Sequence, residues 1–293
     1  MIRLRIGTRG SDLALKQTRW VVERLRAAHT SLTVEEIVIK THGDVATDQK
    51  IDSDWPVGGF VGAIEQALAG EHIDLAVHSY KDLQTAVTPG LVVAAVPKRE
   101  ATWDVLITRD DSDLDDLPDG FRVGTSSPRR AAQIRRLGDI EIVPIRGNVP
   151  TRIAKIEGER LDGVVVAAAG LIRLGINPLH RIDLPVDTFV PAPAQGALAV
   201  QTRSHSRVAD MVTVLNDQLS RRAVETERGF LGAIHAGCHT PVGALATVEG
   251  MRISLHAQLF SDDGLHVAEG VEEGDDPQEV SQRLADRLLS MLR

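Results

Sequence analysis

Residues 2–7 alternate apolar and charged side chains, the pattern of a strand with one buried face. From 11 to about 29, Leu13, Trp20, Val21 and Leu25 recur at helical spacing, so strand, short glycine-containing turn and helix open the chain as an α/β unit. The alternation predicts a further strand over 34–39, a helix over 60–69, and strands over 73–77, 91–96 and 103–107. A second series follows, with strands over 121–124, 140–145 and 163–168, helices over 130–137 and from 149 to about 156, and a short helix ending at Gly175. Short strands alternating with helices predict parallel sheets covered on both faces.

Two segments open alike, IGTRGS at 6–11 and VGTSS at 123–127, each where a strand passes into a helix. That predicts two related α/β domains. The acidic, proline-containing stretch 109–120 and the cluster Val190-Pro191-Ala192-Pro193 are the candidate boundaries. GALAVQTR at 196–203 reads as a strand placed to return to the first sheet. A helical pattern over 220–234 precedes Cys238, and strands near 251–259 and 265–270 with a last helix opened by Asp276 and Pro277 predict a small α+β domain. The expected division is 1–97 with 197–214, then 102–190, then 218–293.

Hydrophobic residues at 43% and charged residues at 25% describe a globular chain and exclude a collagenous or mainly disordered one. No apolar run reaches the roughly 18 residues of a membrane span, and the N-terminus lacks a signal-peptide core, so a cytoplasmic protein is expected. One cysteine makes neither an internal disulfide nor a cysteine-based zinc site. The net charge of −8 argues against a nucleic-acid partner. Yet 27 of the 33 basic residues are arginine, and 122–173 carries ten basic against five acidic residues. Such a stretch inside an acidic chain suits a small polyanion, although a coding bias toward arginine also raises the total.

Four segments carry candidate chemistry. Thr8-Arg9-Gly10-Ser11 gathers backbone N–H groups, a hydroxyl and a guanidinium at a helix start, where carboxylate or phosphate oxygens bind, and where Ser11 or Asp12 can equally be a simple cap. Thr125-Ser126-Ser127 with Arg129 and Arg130 repeats the arrangement with more charge, and Arg146, Gly147 and Arg152 follow the next strand in the same way. Lys81-Asp82 lies past a buried-looking strand, placed for acid–base work or for a surface ion pair over a packed His78. Cys238, among glycines and beside His239, is either a thiolate nucleophile on a tight loop or an ordinary free thiol. No phosphate-loop or dinucleotide fingerprint occurs, and His78 has no second histidine nearby for a metal.

In order along the chain, RIGTRGSDLALKQ, IDLAVHSYKDLQT, VGTSSPRRAAQ, IRGNVPTRI, VVVAAAGLIRLGI, PAPAQGALAV and ERGFLGAIHAGCHTPVGA together resemble the porphobilinogen deaminase (hydroxymethylbilane synthase) family. The resemblance covers most of the chain except its C-terminal tail. It implies two domains like those of type II periplasmic binding proteins plus a small α+β domain, in a cytoplasmic, monomeric transferase of tetrapyrrole synthesis. It also implies a dipyrromethane cofactor joined by a thioether at Cys238, on which four porphobilinogen units condense with loss of ammonia before hydrolysis releases 1-hydroxymethylbilane. No metal is implied.

By motif matching, Asp82 falls on the family's catalytic aspartate. Lys81, Asp82, Thr125, Ser126, Ser127, Arg129, Arg130, Arg146 and Gly147 fall on cofactor contacts. Arg9, Ser11, Arg146, Arg152 and Gln195 fall on substrate contacts. The chemistry is consistent: each substrate carries two carboxylates that arginine forks match, and loss of ammonia leaves a cationic azafulvene that a carboxylate stabilises. Two departures stand out. Trp55-Pro56-Val57-Gly58-Gly59-Phe60 lacks the lysine of the family's GGKGLF-like segment, and Trp103 stands where an arginine is common. The rival from another class is a non-enzymatic anion-binding protein on the same scaffold, which has no use for Cys238 or Asp82.

Overall fold

The computed structural model describes residues 2–39, 61–235 and 240–292. The segment 55–60, with the first residue of the helix predicted from 60, and Cys238 lie outside the described residues. The chain forms two compact units, residues 1–100 with 196–221 and residues 101–195 with 222–293. The described strands are β1 (Ile2–Thr8), β2 (Leu32–Val38), β3 (Leu75–Ser79), β4 (Leu91–Ala95), β5 (Asp104–Thr108), β6 (Phe121–Gly124), β7 (Ile140–Val143), β8 (Gly163–Ala167), β9 (Arg181–Asp183), β10 (Leu198–Arg203), β11 (Val242–Glu249), β12 (Arg252–Phe260) and β13 (Val267–Gly274). The described α-helices are α1 (Asp12–Ala28), α2 (Gly62–Ala69), α3 (Pro128–Arg135), α4 (Val149–Gly158), α5 (Ala168–Leu174), α6 (Arg207–Val212), α7 (Gln218–Ala233) and α8 (Pro277–Met291).

In the first unit the strands lie in the order β2-β1-β3-β10-β4. Ser11 caps α1 by accepting the Ala14 N–H at 3.4 Å, and Asp12 in the first turn suits the positive end of the helix dipole. Val21, Val22 and Leu25 then share a core with Leu4, Ile6, Leu75 and Val77. In the second unit the order is β7-β6-β8-β5-β9, the same arrangement. Each sheet is mixed where parallel sheets were expected: β10 runs antiparallel to β3 and β4, and β5 to β8 and β9. A strand buried on both faces is apolar whichever way it runs, so the pattern carries no direction.

The likeness between the halves reaches individual side chains. The Arg5 N–H donates to Asp74 Oδ2 at 2.9 Å while the Asp74 N–H donates to Arg5 O at 2.8 Å. Arg122 and Asp162 repeat both bonds at 2.8 and 2.9 Å. At the end of β10, Arg203 donates to Leu68 O and Ile73 O, both at 2.7 Å. Arg109, just past β5, donates to Ile156 O and Leu161 O at 3.2 and 2.7 Å, satisfying the same carbonyls beyond a helix end. Gly7 and Gly124 also correspond, since a Cβ at either would collide with the next buried side chain, Ile73 or Leu161. The short likeness between IGTRGS and VGTSS therefore marks a repeated architecture.

The second unit also holds the antiparallel sheet β11-β12-β13. Ile253, Leu255, Ala257 and Leu259 on one face of β12 meet Phe230 of α7 and Leu284 and Leu288 of α8 in one core. Phe230 and Leu284 are fully buried, and each contributes roughly 1.5–3 kcal/mol by leaving water. Asp276 caps α8 through two N–H bonds of 2.9 Å, with Pro277 at the first helical position as the sequence predicts. β11 was not foreseen, because its entry reads Pro-Val-Gly. Gly243 sits there because a side chain would collide with the Val190 carbonyl. The acidic stretch 109–120 is not a linker: Leu114 and Leu117 pack on the core of β6 and β8, and the chain crosses between units at 100–101, 195–196 and 221–222.

Candidate functional site

In the first unit β1 and β3 are parallel neighbours, with Ile6 beside Leu75 and Gly7 beside Ala76. Their carboxyl ends therefore bring the turn Thr8–Ser11 next to the 3₁₀ turn Tyr80–Asp82. Buried Thr8 accepts a 2.8 Å bond from the Thr18 hydroxyl, and Gln17 Nε2 donates to Ser79 Oγ at 3.0 Å, tying α1 to both strand ends. Buried Tyr80 anchors the second turn, its N–H donating to Ala197 O at 3.0 Å. A cavity of about 70 Å³ opens between them, lined by Arg9, Ser11, Gln17, His78, Ser79 and Asp82 among others. Arg9, Ser11 and Asp82 thus come together, while Lys81 is exposed at the adjacent position.

His78 is buried, with Nε2 3.0 Å from Gln201 Oε1. Gln201 Nε2 donates to Glu65 Oε1 at 2.8 Å, and Thr88 Oγ1 donates to Glu65 Oε2 at 2.8 Å. Because the Gln201 amide gives its N–H to a carboxylate, its oxygen faces the imidazole, and His78 must carry a proton on Nε2. Burial pushes the His78 pKa down to about 4, with the Glu65 charge and the Gln201 bond opposing it. The folded state therefore prefers neutral imidazole. Its contribution to stability is full above about pH 6.5 and is lost as the pH falls toward 4, at most about 3 kcal/mol. We expect the stability advantage of the parent over His78→Asn to shrink across that window in urea unfolding; a constant difference between pH 7.5 and 4 would remove the assignment.

In the second unit β6 and β7 are parallel neighbours, and their ends again converge. Ser126 Oγ donates to Ile145 O at 2.7 Å, so the turn after β6 is bonded to the chain entering Arg146. Ser127 caps α3 by accepting the Arg130 N–H at 3.4 Å, and Asn148 caps α4 by accepting the Thr151 N–H at 2.9 Å. Gly147 has φ 115°, a conformation that favours glycine, and its carbonyl accepts from Arg152 Nε at 2.8 Å. Thr125, Ser126, Ser127, Arg146, Gly147 and Arg152 therefore occupy two adjoining helix heads. Arg146 and Arg152 are half-buried.

Arg129 and Arg130 are not open positive charges at that helix head. They are 4% and 7% exposed, and both bond Asp104, itself 1% exposed. Asp104 Oδ2 accepts from Arg129 Nη2 at 2.8 Å, and Oδ1 accepts from Arg130 Nη2 at 2.6 Å and Gln195 Nε2 at 2.9 Å. Arg129 Nη1 also donates to Gln133 Oε1 and Val190 O, and Arg130 Nη1 to Val165 O. Burial pushes the Arg129 guanidinium down from its usual value, and Asp104 works against that. Arg130 Nε is buried without a hydrogen-bond partner.

Cys238 itself is outside the described residues, but its flanks are not. α7 leads toward it, and β11 leaves it with the Ala244 N–H donating to Pro191 O at 2.9 Å. On α7, fully buried Glu227 accepts from the Ala194 N–H at 2.6 Å and the Ala246 N–H at 2.9 Å. Ala194 has φ 62°, so Glu227 holds a strained turn directly before Gln195. Sequence reasoning assigned no role to Asp104, Gln133 or Glu227. The signal for Asp104 was present, as a carboxylate heading the otherwise apolar run Val105-Leu106-Ile107. Among the described residues no cluster of three or more His, Cys, Asp or Glu is placed to hold a metal.

A family model described as Porphobilinogen deaminase, dipyromethane cofactor binding domain, matches residues 4–210, and one described as Porphobilinogen deaminase, C-terminal domain, matches 222–290. Curated relatives named Porphobilinogen deaminase include those of Alkaliphilus metalliredigens, 41% identical over 99% of this chain and 93% of the relative, and Nocardia farcinica, 44% identical over 98% and 86%. Among solved structures, the methionine binding protein MetQ aligns with 73% of this chain and 89% of its own, at 13% identity and a TM-score of 0.47.

Proposed function

The chain belongs to the porphobilinogen deaminase family, and from that membership we propose that it condenses four porphobilinogen units head to tail, releasing ammonia and then 1-hydroxymethylbilane by hydrolysis. The family's dipyrromethane is the primer onto which the units are added. In this reading it is joined to Cys238 through a thioether. The observation that carries the reading is the unpartnered, buried Arg130 Nε beside two capped helix heads, a donor set suited to carboxylate-bearing rings.

The remaining roles follow from position. By motif matching, Thr125, Ser126, Ser127, Arg130, Arg146 and the Gly147 backbone hold ring carboxylates, and Lys81 is a further cofactor contact. Arg9, Ser11, Arg152 and Gln195 orient the incoming substrate. Asp82, at the rim of the small cavity, stabilises positive charge on pyrrole nitrogens and holds or moves their protons. His78 stays neutral beneath it and adds no competing charge. The reading extends to a monomeric, cytoplasmic transferase; no described helix is long and apolar enough to cross a membrane.

The deciding experiment is an intact-protein mass spectrum before and after adding porphobilinogen. A resting mass above that of the bare chain by one dipyrrole, followed by stepwise additions, is expected. A bare-sequence mass in freshly purified protein, with no additions, would falsify the proposal.

A further inference from the structure

The repeated architecture supplies an internal control for the buried charges of the second unit. In the first sheet Leu198 of β10 stands opposite Ser79 of β3. In the second sheet the counterpart pair is Asp104 of β5 opposite Ala167 of β8. The helices align through their caps: Ser11 accepts from Ala14 and Ser127 from Arg130, so Leu13 and Ala14 correspond to Arg129 and Arg130. Where the first unit has leucine, leucine and alanine, the second has aspartate, arginine and arginine. The scaffold is thus built once without these charges.

Buried ion pairs seldom repay their desolvation, and apolar replacements of like volume are often neutral or stabilising. Stability is therefore a poor reason for the triad, and its geometry suggests a better one. The two oxygens of Asp104 fix two adjacent guanidinium groups of α3 and the Gln195 amide of the turn before β10. With its Nη groups so held, Arg130 has its buried Nε–H left over.

We propose that Asp104 is a positioning residue, which locks Arg129 and Arg130 into one donor set at the head of α3 that receives a ligand carboxylate, while Gln195, whose amide donates to Thr102 O at 2.7 Å and to Asp104, holds the aspartate in place. This rests on the proposed function for the identity of the ligand, but the lock itself is independent of it. Asparagine at 104 keeps the shape and turns one acceptor into an NH₂ that faces a guanidinium donor, so one arginine must let go.

The test compares Asp104→Asn with a triple variant carrying the first unit's residues, Asp104→Leu, Arg129→Leu and Arg130→Ala. Four readouts apply: thermal unfolding, intact mass for the attached dipyrrole, kcat and KM for ammonia release from porphobilinogen, and phenylglyoxal modification mapped by peptide mass. The triple variant is expected to fold with a parental or higher midpoint and to carry no dipyrrole. Asp104→Asn is expected to expose at least one of the two arginines to phenylglyoxal, with loading or kcat/KM lowered roughly tenfold to a hundredfold, mainly through KM. If Asp104→Asn does not fold, Asp104→Glu takes its place, where a merely charge-balancing role predicts full rescue and positioning predicts none. Parental loading, KM and arginine protection in Asp104→Asn overturn the proposal, as does a triple variant that cannot fold. A parent without dipyrrole but with both arginines protected and released by Asp104→Asn rejects the proposed function and leaves the lock standing.

Discussion

Asp82→Asn keeps its dipyrrole and its fold, while ammonia release from porphobilinogen falls by about a hundredfold to ten-thousandfold. Asp82 closes an exposed 3₁₀ turn whose position is fixed by backbone bonds, Tyr80 N–H to Ala197 O and Leu83 N–H to Tyr80 O, so the side chain carries little of the structure. An isosteric change there alters stability by less than about 0.5 kcal/mol. What disappears is a negative charge at the rim of a cavity whose other lining charge is Arg9. No described carboxylate lines that cavity in its place. Porphobilinogen still meets the arginines, so KM moves less than kcat. Turnover near the parental rate, measured as ammonia released per loaded protein, would take the role from Asp82 and leave the cavity a binding pocket only.

How far this was legible in the sequence depended on whether a residue's partner was local. The turn residues came through because strand-to-helix junctions put Arg9, Ser11, Ser127 and Arg146 where parallel neighbours end, and adjacency of β1 with β3 and of β6 with β7 did the rest. Strand direction did not come through, because Leu198-Ala199-Val200 and Val105-Leu106-Ile107 are as apolar antiparallel as they would be parallel. Nor did β11, whose opening Pro241-Val242-Gly243 imitates a turn while the glycine answers the approach of Val190. Arg129 and Arg130 were read as an anion site and their burial was not legible, since their counter-charge lies about 25 residues earlier, on a strand two places along in the sheet. A helix dipole argument sees only the charges on its own helix.

His78 and Asp104 show the same limit from opposite sides. Both are polar residues on apolar strands, and both are satisfied by residues distant in sequence, Gln201 and Glu65 in one case and the two arginines in the other. The halves kept one backbone plan and placed different polar clusters in it. The first unit's His78 corresponds to Val166, and its Gln201 to Ile107, in the second. Each unit is therefore apolar where the other carries its buried polar cluster.

Cys238→Ser should yield a folded protein with the mass of the bare chain and no measurable ammonia release. The fold expectation comes from the flanks: α7 is held by the fully buried Phe230 and Glu227, and β11 by the Ala244 N–H on Pro191 O, so neither flank depends on the atom at position 238. The chemical expectation comes from the sulfur. A thiol with an ordinary pKa near 8.5 gives a few per cent of strongly nucleophilic thiolate at neutral pH, whereas a serine hydroxyl without a base partner gives essentially none. No other cysteine exists to substitute. The arginines remain, so the variant separates the two readings that the sequence left open. If Cys238→Ser still binds small carboxylates but has lost ammonia release, the charges serve an enzyme whose primer is gone. If the parent too shows only anion binding, with no added mass and no ammonia, the scaffold is a binding protein and Asp82 has no reaction to serve.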